Sequence, residues 1–130
     1  MNWLTDCAAI IASVIVACLA VFQILLAAGL PYGHAAYGGT ISVLPTKLRL
    51  ASAVSSLVFF VAFYVILARG GLLGGEQRFE LVTVAMWIFV ALFGVSALAN
   101  IVSRSHWERY LMAPIGLVLA VCCVILAFAS

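Results

Sequence analysis

The distribution of charge along this 130-residue chain constrains its fold more than any other feature. The charged side chains, six basic and four acidic, lie in the first six residues or in three short intervals. Between them run four stretches without charge: Cys7–Leu30, Leu50–Ala68, Leu81–Val102 and Tyr110–Ser130. Helices of these lengths would be about 28 to 36 Å long, which matches a hydrocarbon core of about 30 Å. We therefore predict four transmembrane helices.

Composition supports this class. Hydrophobic residues make up 68% of the chain and charged residues 8%, far from the balance of a soluble domain. The stretches lack the polar and apolar alternation of outer-membrane strands. We predict an all-α integral membrane four-helix bundle, one domain over 1–130, with helices near 7–30, 50–68, 81–102 and 106–130. Met1–Asp6 contains no Lys or Arg, so the first helix is interpreted as an uncleaved transmembrane helix rather than a signal peptide.

Basic residues predict the orientation. Four of them flank loop 1, between the first two helices, and loop 3, between the last two, whereas two flank loop 2. The first group is Lys47, Arg49, Arg104 and Arg109, and the second is Arg69 and Arg78. The positive-inside rule therefore predicts that both termini lie on the outer side of the membrane. No basic patch with interleaved aromatics is present, so we predict no nucleic-acid partner.

Loop 1 is the most informative connection. Gly29–Pro45 contains glycines, prolines and tyrosines and no charged side chain other than the titratable His34. Structureless loops of this length are uncommon and often functional. The segment is too apolar for a solvated linker, so we expect it to fold back onto the helix ends or to enter the interface.

The start of the fourth helix carries two signals. Ser105-His106-Trp107-Glu108 has the spacing of a capping box, in which the serine hydroxyl and the glutamate carboxylate bind free backbone N–H groups. Pro114 follows, and its ring displaces the carbonyl of Tyr110. We therefore expect the fourth helix to kink near the interface.

The chain resembles a known family in three segments: GLPYGHAAYGG, LPTKLRLASAV and ANIVSRSHWERYLMAP. They are similar to the pattern of a family of small, uncharacterised four-helix integral membrane proteins of bacteria. That family has a glycine, proline and aromatic loop followed by an SRS-x-x-ER stretch. The resemblance spans nearly the whole chain and implies the same topology in a bacterial inner membrane. It implies no established activity.

Polar side chains within the helices concentrate at the depth nearest loops 1 and 3. One interpretation is a pocket beneath loop 1, gated by the Pro114 kink, with aromatic and imidazole groups at its mouth. The candidate wall residues are Gln23, Ser52, Ser56, Ser96 and Asn100, and the candidate mouth residues are Tyr32, His34 and Tyr37. The alternative is that these groups only join helices, because Ser, Asn and Gln commonly form hydrogen bonds between helices in lipid.

The remaining candidates are Arg104 and Glu108 on the same face. They either bind a polar or phosphate group there, or Glu108 caps the fourth helix while the arginine extends to the interface. The two histidines, His34 and His106, lack metal-ligand spacing, so we predict neither a metal nor another cofactor. Because the four predicted helices contain no Asp, Glu, Lys or Arg in their charge-free stretches, we predict no charged side chain within the membrane.

These features favour a small multi-pass membrane protein without catalytic activity over a small intramembrane enzyme that would use His34 with Tyr32, Tyr37 or Asn100. We predict that the protein binds a lipid, an apolar small molecule or a membrane partner through the face formed by loops 1 and 3. The alternative is an oligomeric small-molecule transporter or facilitator, although it would lack the intramembrane charge on which ion coupling usually depends. Besides the bilayer, the possible partners are a second membrane protein or further copies of the chain.

Overall fold

The computed structural model describes residues 3–36, 40–73 and 80–129, apart from the side chain of residue 34. It contains four long helices: α1 (Trp3–Ala27), α2 (Thr46–Arg69), α3 (Glu80–Ile101) and α4 (Ala113–Phe128). A 3₁₀ turn covers Gly33–Ala35, and a π-helical turn, Glu108–Met112, leads into α4. Counting that turn with α4, each helix is long and apolar enough to span a membrane, with a mean hydropathy of 2.4 to 2.8. The predicted all-α membrane bundle is confirmed.

The helices extend beyond the charge-free stretches at several ends. α1 begins at Trp3, so the acidic Asp6 lies in its first turn, where a carboxylate interacts favourably with the helix dipole. α2 begins directly after Pro45 and includes Lys47 and Arg49. Long basic side chains are tolerated at such ends because they can reach polar groups outside the hydrocarbon.

Neighbouring helices pack most closely in two pairs. α1 lies along α2 and α3 along α4, with α1 and α4 joining the pairs, whereas α2 and α3 contact each other over a short stretch. Small residues permit the close approach of α1 to its neighbours, since Ala8, Ala12 and Ala20 are all buried. Gly116 gives α4 a similar approach to α3, where an added Cβ would lie 3.3 Å from the Cβ of Ala97.

The contiguous hydrophobic core lies in one half of the bundle. We call this the loop 2 half, because it contains the ends of α2 and α3 that loop 2 joins. Its core runs over Ala8–Val16, Ala62–Ala68, Val82–Phe93 and Leu119–Ala127. Ile66, Met86 and Leu126 are among its fully buried side chains. The other half, which we call the loop 1/3 half, contains the candidate site.

Two arginines cap helix ends on opposite sides of the bundle. Arg69 is 6% exposed, and its Nε donates a 2.9 Å hydrogen bond to the carbonyl of Leu126. Its Nη2 donates to the carbonyls of Ala127 and Ala129. On the other side, Arg49 Nε donates to the Ala27 carbonyl at 2.9 Å. Each arginine thereby donates to carbonyls at the end of a helix, where the regular backbone hydrogen-bond pattern stops.

Candidate functional site

A cavity of about 400 Å³ lies among all four helices in the loop 1/3 half. This volume is within the range of about 300 to 1,000 Å³ that is typical of small-molecule sites. The polar side chains in its wall are Gln23, Ser55, Ser96, Asn100 and Glu108. Its apolar wall is formed by Leu19, Phe22, Val58, Phe59, Leu92, Phe93, Ala99, Met112 and Leu119. A cavity of this composition suits a molecule with one polar and one apolar end.

Aromatic side chains form the floor of the cavity. The rings of Phe59 and Phe93 stack across the seam between α2 and α3, with centroids 5.9 Å apart and planes 5° from parallel. The ring of Phe89 continues the stack one turn farther from loop 3, 5.5 Å from Phe93. Beyond this floor begins the packed core of the loop 2 half, so the cavity ends near the middle of the bundle.

The cavity opens on the side between α2 and α3. The wall residues that are exposed belong to these two helices, namely Val58 on α2 and Leu92, Ser96 and Ala99 on α3. The wall residues on α1 and α4 are at least partly buried. Because α2 and α3 contact each other little, this opening faces the lipid that would surround the bundle.

Loop 1 covers the outer end of the cavity through Ala35 and Ala36. The loop is held in place by its own backbone, since the N–H of Gly33 donates to the carbonyl of Ser42 at 2.8 Å. A Cβ added to Gly33 would lie 2.2 Å from the carbonyl oxygen of Ile41, so this close approach requires glycine. The loop therefore folds back onto the helix ends, as the sequence predicts.

Glu108 brings a carboxylate to the wall of the cavity, and only 7% of this residue is exposed. Its Oε1 accepts a 2.6 Å hydrogen bond from the hydroxyl of Ser103. The same hydroxyl oxygen accepts the backbone N–H of Ser105 at 3.1 Å, and the Glu108 N–H donates to the Ser105 hydroxyl at 3.4 Å. The predicted capping box thus forms on one side only, because Ser103 stands between the carboxylate and the N–H of Ser105.

The π-helical turn sets the direction of Glu108. At its end the N–H of Ala113 donates to the carbonyl of Glu108, five residues back. The next residue, Pro114, has no N–H to donate to Tyr110, so the usual four-residue spacing cannot be kept there. The disturbance predicted at Pro114 therefore takes the form of a wider turn, and such turns are frequent at functional sites.

Gln23 contributes the second polar group of the wall. Its Oε1 is buried and has no hydrogen-bond partner in the part of the chain that the structure describes. A buried acceptor in this state costs about 1 to 3 kcal/mol relative to a satisfied one. Such an orphaned acceptor inside a cavity indicates room for a donor from a bound molecule or from water.

The structure brings together some of the residues that the sequence nominates. Gln23, Ser96, Asn100 and Glu108 all line the cavity. Ser52 and Ser56 do not line the cavity. Ser52 is fully buried, and the hydroxyl of Ser56 donates to the carbonyl of Ala53 at 2.7 Å.

The candidate residues of the mouth are less well placed. Tyr32 and Arg104 are exposed outside the wall. Tyr37 and the side chain of His34 lie outside the described residues. His106 is exposed and stacks on Tyr110, with ring centroids 5.8 Å apart.

Sequence reasoning misses part of the site. Ser55 lines the cavity, whereas Ser52 and Ser56 were expected there. All three lie on one face of α2, because positions i, i+3 and i+4 of a helix share a face, and only packing decides which of them reaches the cavity. The sequence also predicts that no Asp, Glu, Lys or Arg lies within the membrane, and two helix ends qualify this prediction. Glu108 and Arg69 are both buried at the ends of membrane-spanning segments.

Among the described residues, no group of three or more His, Cys, Asp and Glu side chains could hold a metal ion. Comparisons with protein-family models, curated proteins and solved structures found no match. The family resemblance therefore stays a prediction.

Proposed function

We propose that this protein binds an amphipathic small molecule or a single lipid chain, taken from the bilayer into the cavity of the loop 1/3 half. The observation that carries the proposal is the division of the cavity wall. Polar groups lie toward loops 1 and 3, and an aromatic floor closes the other end. A molecule with a polar end at the interface and an apolar end in the hydrocarbon would satisfy both regions.

The opening between α2 and α3 supports the same proposal. A ligand dissolved in the membrane could enter sideways through the gap bordered by Val58 and Leu92 without crossing water. The wall offers binding groups and no arrangement of nucleophile and base among its described residues, so the role we propose is binding rather than catalysis.

For its location we propose a bacterial inner membrane, with both termini outside and loops 1 and 3 in the cytoplasm. The family resemblance supports the bacterial inner membrane, and the excess of basic residues beside loops 1 and 3 supports the orientation. A green fluorescent protein fused to the C-terminus would then stay dark, whereas a fused alkaline phosphatase would be active. The reverse pair of results would overturn the orientation.

Native mass spectrometry of the protein, extracted gently from its own membrane, tests the binding proposal. We expect a stoichiometric small molecule or lipid on the wild-type chain. Ser96→Phe should remove this ligand because the new ring would occupy the cavity. Val95→Phe is the matched control, since Val95 is 67% exposed and its side chain faces away from the wall. A bare wild-type chain, or equal ligand on both variants, would contradict the proposal.

A further inference from the structure

We propose that the polar end of the ligand is an ammonium group, which Glu108 binds at the outer end of the cavity. The inference rests on the proposed function and adds to it the chemical class of the ligand. Two observations on the described residues carry it: the buried carboxylate of Glu108 has no cationic partner among them, and the Oε1 of Gln23 in the same wall has no donor among them.

The charge of the wall points to a cation. Among the described residues that line the cavity, Glu108 is the only ionisable one. A carboxylate at the edge of the membrane is costly unless something compensates its charge. The one side-chain hydrogen bond that it accepts in the described part comes from the neutral hydroxyl of Ser103. A bound cation would supply the missing compensation.

The nearby basic residues with described side chains are engaged elsewhere or lie outside the wall. Arg49 donates to the carbonyl of Ala27. Arg109 is exposed, and its guanidinium lies 5.7 Å from the ring centroid of Tyr110. Arg104 is exposed and absent from the wall. The wall therefore repels anionic head groups and attracts cationic ones.

The hydrogen-bonding groups indicate a donor rather than an acceptor. Glu108 accepts through Oε1, and its Oε2 has no hydrogen-bond donor within the described part of the chain. The buried Oε1 of Gln23 is likewise without a donor. An ammonium group carries up to three N–H donors and no acceptor, so it complements these two oxygens.

The volume limits what carries the ammonium. About 400 Å³ suits one alkyl chain or a compact apolar body rather than both chains of a phospholipid. The same chemistry can come from a free alkylamine or from the amino head group of a lipid whose chains stay in the bilayer. The experiment below separates these two sources.

The test uses the purified full-length protein in nanodiscs of phosphatidylcholine, with empty nanodiscs as background. Radiolabelled dodecylamine is the probe, and unlabelled dodecylamine, dodecanol and dodecanoate are the competitors. We expect saturable binding, with dodecylamine competing about tenfold or more better than dodecanol, as a charge-assisted hydrogen bond implies. Dodecanoate should compete least.

Variants at Glu108 identify the group that recognises the ammonium. In Glu108→Gln the ratio of amine to alcohol affinity should fall toward one, and Glu108→Asp should restore part of it. Glu80→Gln makes the same change at an exposed carboxylate on the opposite side of the bundle and should leave the ratio unchanged. Thermal unfolding of each variant shows that the protein is folded, and if Glu108→Gln does not fold, Glu108→Asp and the competitor series decide.

The outcomes separate this inference from the proposed function. If dodecanol and dodecylamine bind equally to the wild type, or if Glu108→Gln keeps the preference, the ammonium site is wrong while the cavity still binds amphiphiles. If no probe binds saturably, both proposals fall. Adding phosphatidylethanolamine to the nanodiscs distinguishes the sources: strong competition indicates a lipid head group, and weak competition indicates a free amine.

Discussion

Among single residues, Gly33 matters most for the covering of the cavity, because a residue with a side chain would not fit there. The backbone at Gly33 approaches the carbonyls of Ile41 and Ser42 so closely that a Cβ would lie 2.2 and 2.6 Å from them. Both obstacles are backbone atoms of the same loop, which cannot move aside as a flexible side chain would. The loop can take its place over the cavity only while this position is glycine.

Gly33→Ala should destabilise the protein by about 1 to 3 kcal/mol, because the added methyl group forces the backbone at position 33 away from the carbonyls of Ile41 and Ser42. Gly94→Ala is the matched control, since a Cβ there meets nothing within 4 Å and alanine favours the helix. Thermal unfolding in detergent measures both changes. A neutral Gly33→Ala variant would show that the close approach is not required.

Glu108 shows how far single residues could be predicted. The sequence nominates it as a cap or as a binding group, because a glutamate three residues after a serine has the spacing for capping. Its burial in a cavity wall depends on Ser103 and on the wider turn, and neither contact follows from spacing. Likewise, Gln23 is identifiable as a polar residue at the right depth, whereas its orphaned oxygen depends on the packing around it.

At the scale of elements, helix ends explain why two arginines lie where they do. The sequence places Arg69 at the end of a span, where a basic side chain usually extends to the interface. In the structure it turns inward and binds carbonyls at the end of α4, so α2 and α4 are fastened together. The helix spans were predictable from the runs without charge, but this pairing was not, because it depends on which helices are neighbours.

Arg69→Met should lower the free energy of unfolding by about 2 to 3 kcal/mol, because the carbonyls of Leu126 and Ala127 lose a charged donor. Arg104→Met removes an exposed guanidinium and should change stability by about 0.5 kcal/mol or less. Unfolding in mixed micelles would measure both. Equal effects would indicate that the contribution of Arg69 is its net charge alone.

The π-helical turn makes a prediction about binding. Pro114→Ala restores an N–H that can bond to the Tyr110 carbonyl, so an ordinary helix can extend back through Met112. When the five-residue spacing of that turn becomes the four-residue spacing of an ordinary helix, Glu108 rotates by about 100° relative to α4. We expect the preference for dodecylamine over dodecanol to fall while the melting temperature stays the same or rises. An unchanged preference would show that other contacts hold the turn open.

At the scale of the whole molecule, the bundle divides into a packed half and a hollow half. The core of the loop 2 half reaches from Ala8 to Ala127, whereas the loop 1/3 half surrounds a cavity. The sequence predicts the polar character of the hollow half, because Ser96 and Asn100 lie on one stripe of the third helix. It does not predict the empty volume, which depends on how four side-chain surfaces fit.

Substitution of two methionines, one in each half, tests whether the two halves differ in packing. Met86 is fully buried in the core, and Met112 lies in the cavity wall. Met86→Ala should cost about 2 to 5 kcal/mol, because it opens a new void in close-packed surroundings. Met112→Ala only enlarges a space that already exists, so it should cost less. Denaturant unfolding of the two variants gives the comparison, and a larger loss for Met112→Ala would contradict the division.

The aromatic floor also limits the length of the apolar chain that the cavity can hold. Along α3 its wall extends from Asn100 to Leu92, which corresponds to a depth of roughly 12 Å at 1.5 Å per residue. Each methylene added to a ligand gains affinity only until the chain reaches the rings of Phe59 and Phe93. A longer chain must bend out through the gap toward lipid. Affinity across a series of chain lengths should therefore rise and then level off, so that the protein would sort ligands by length as well as by charge.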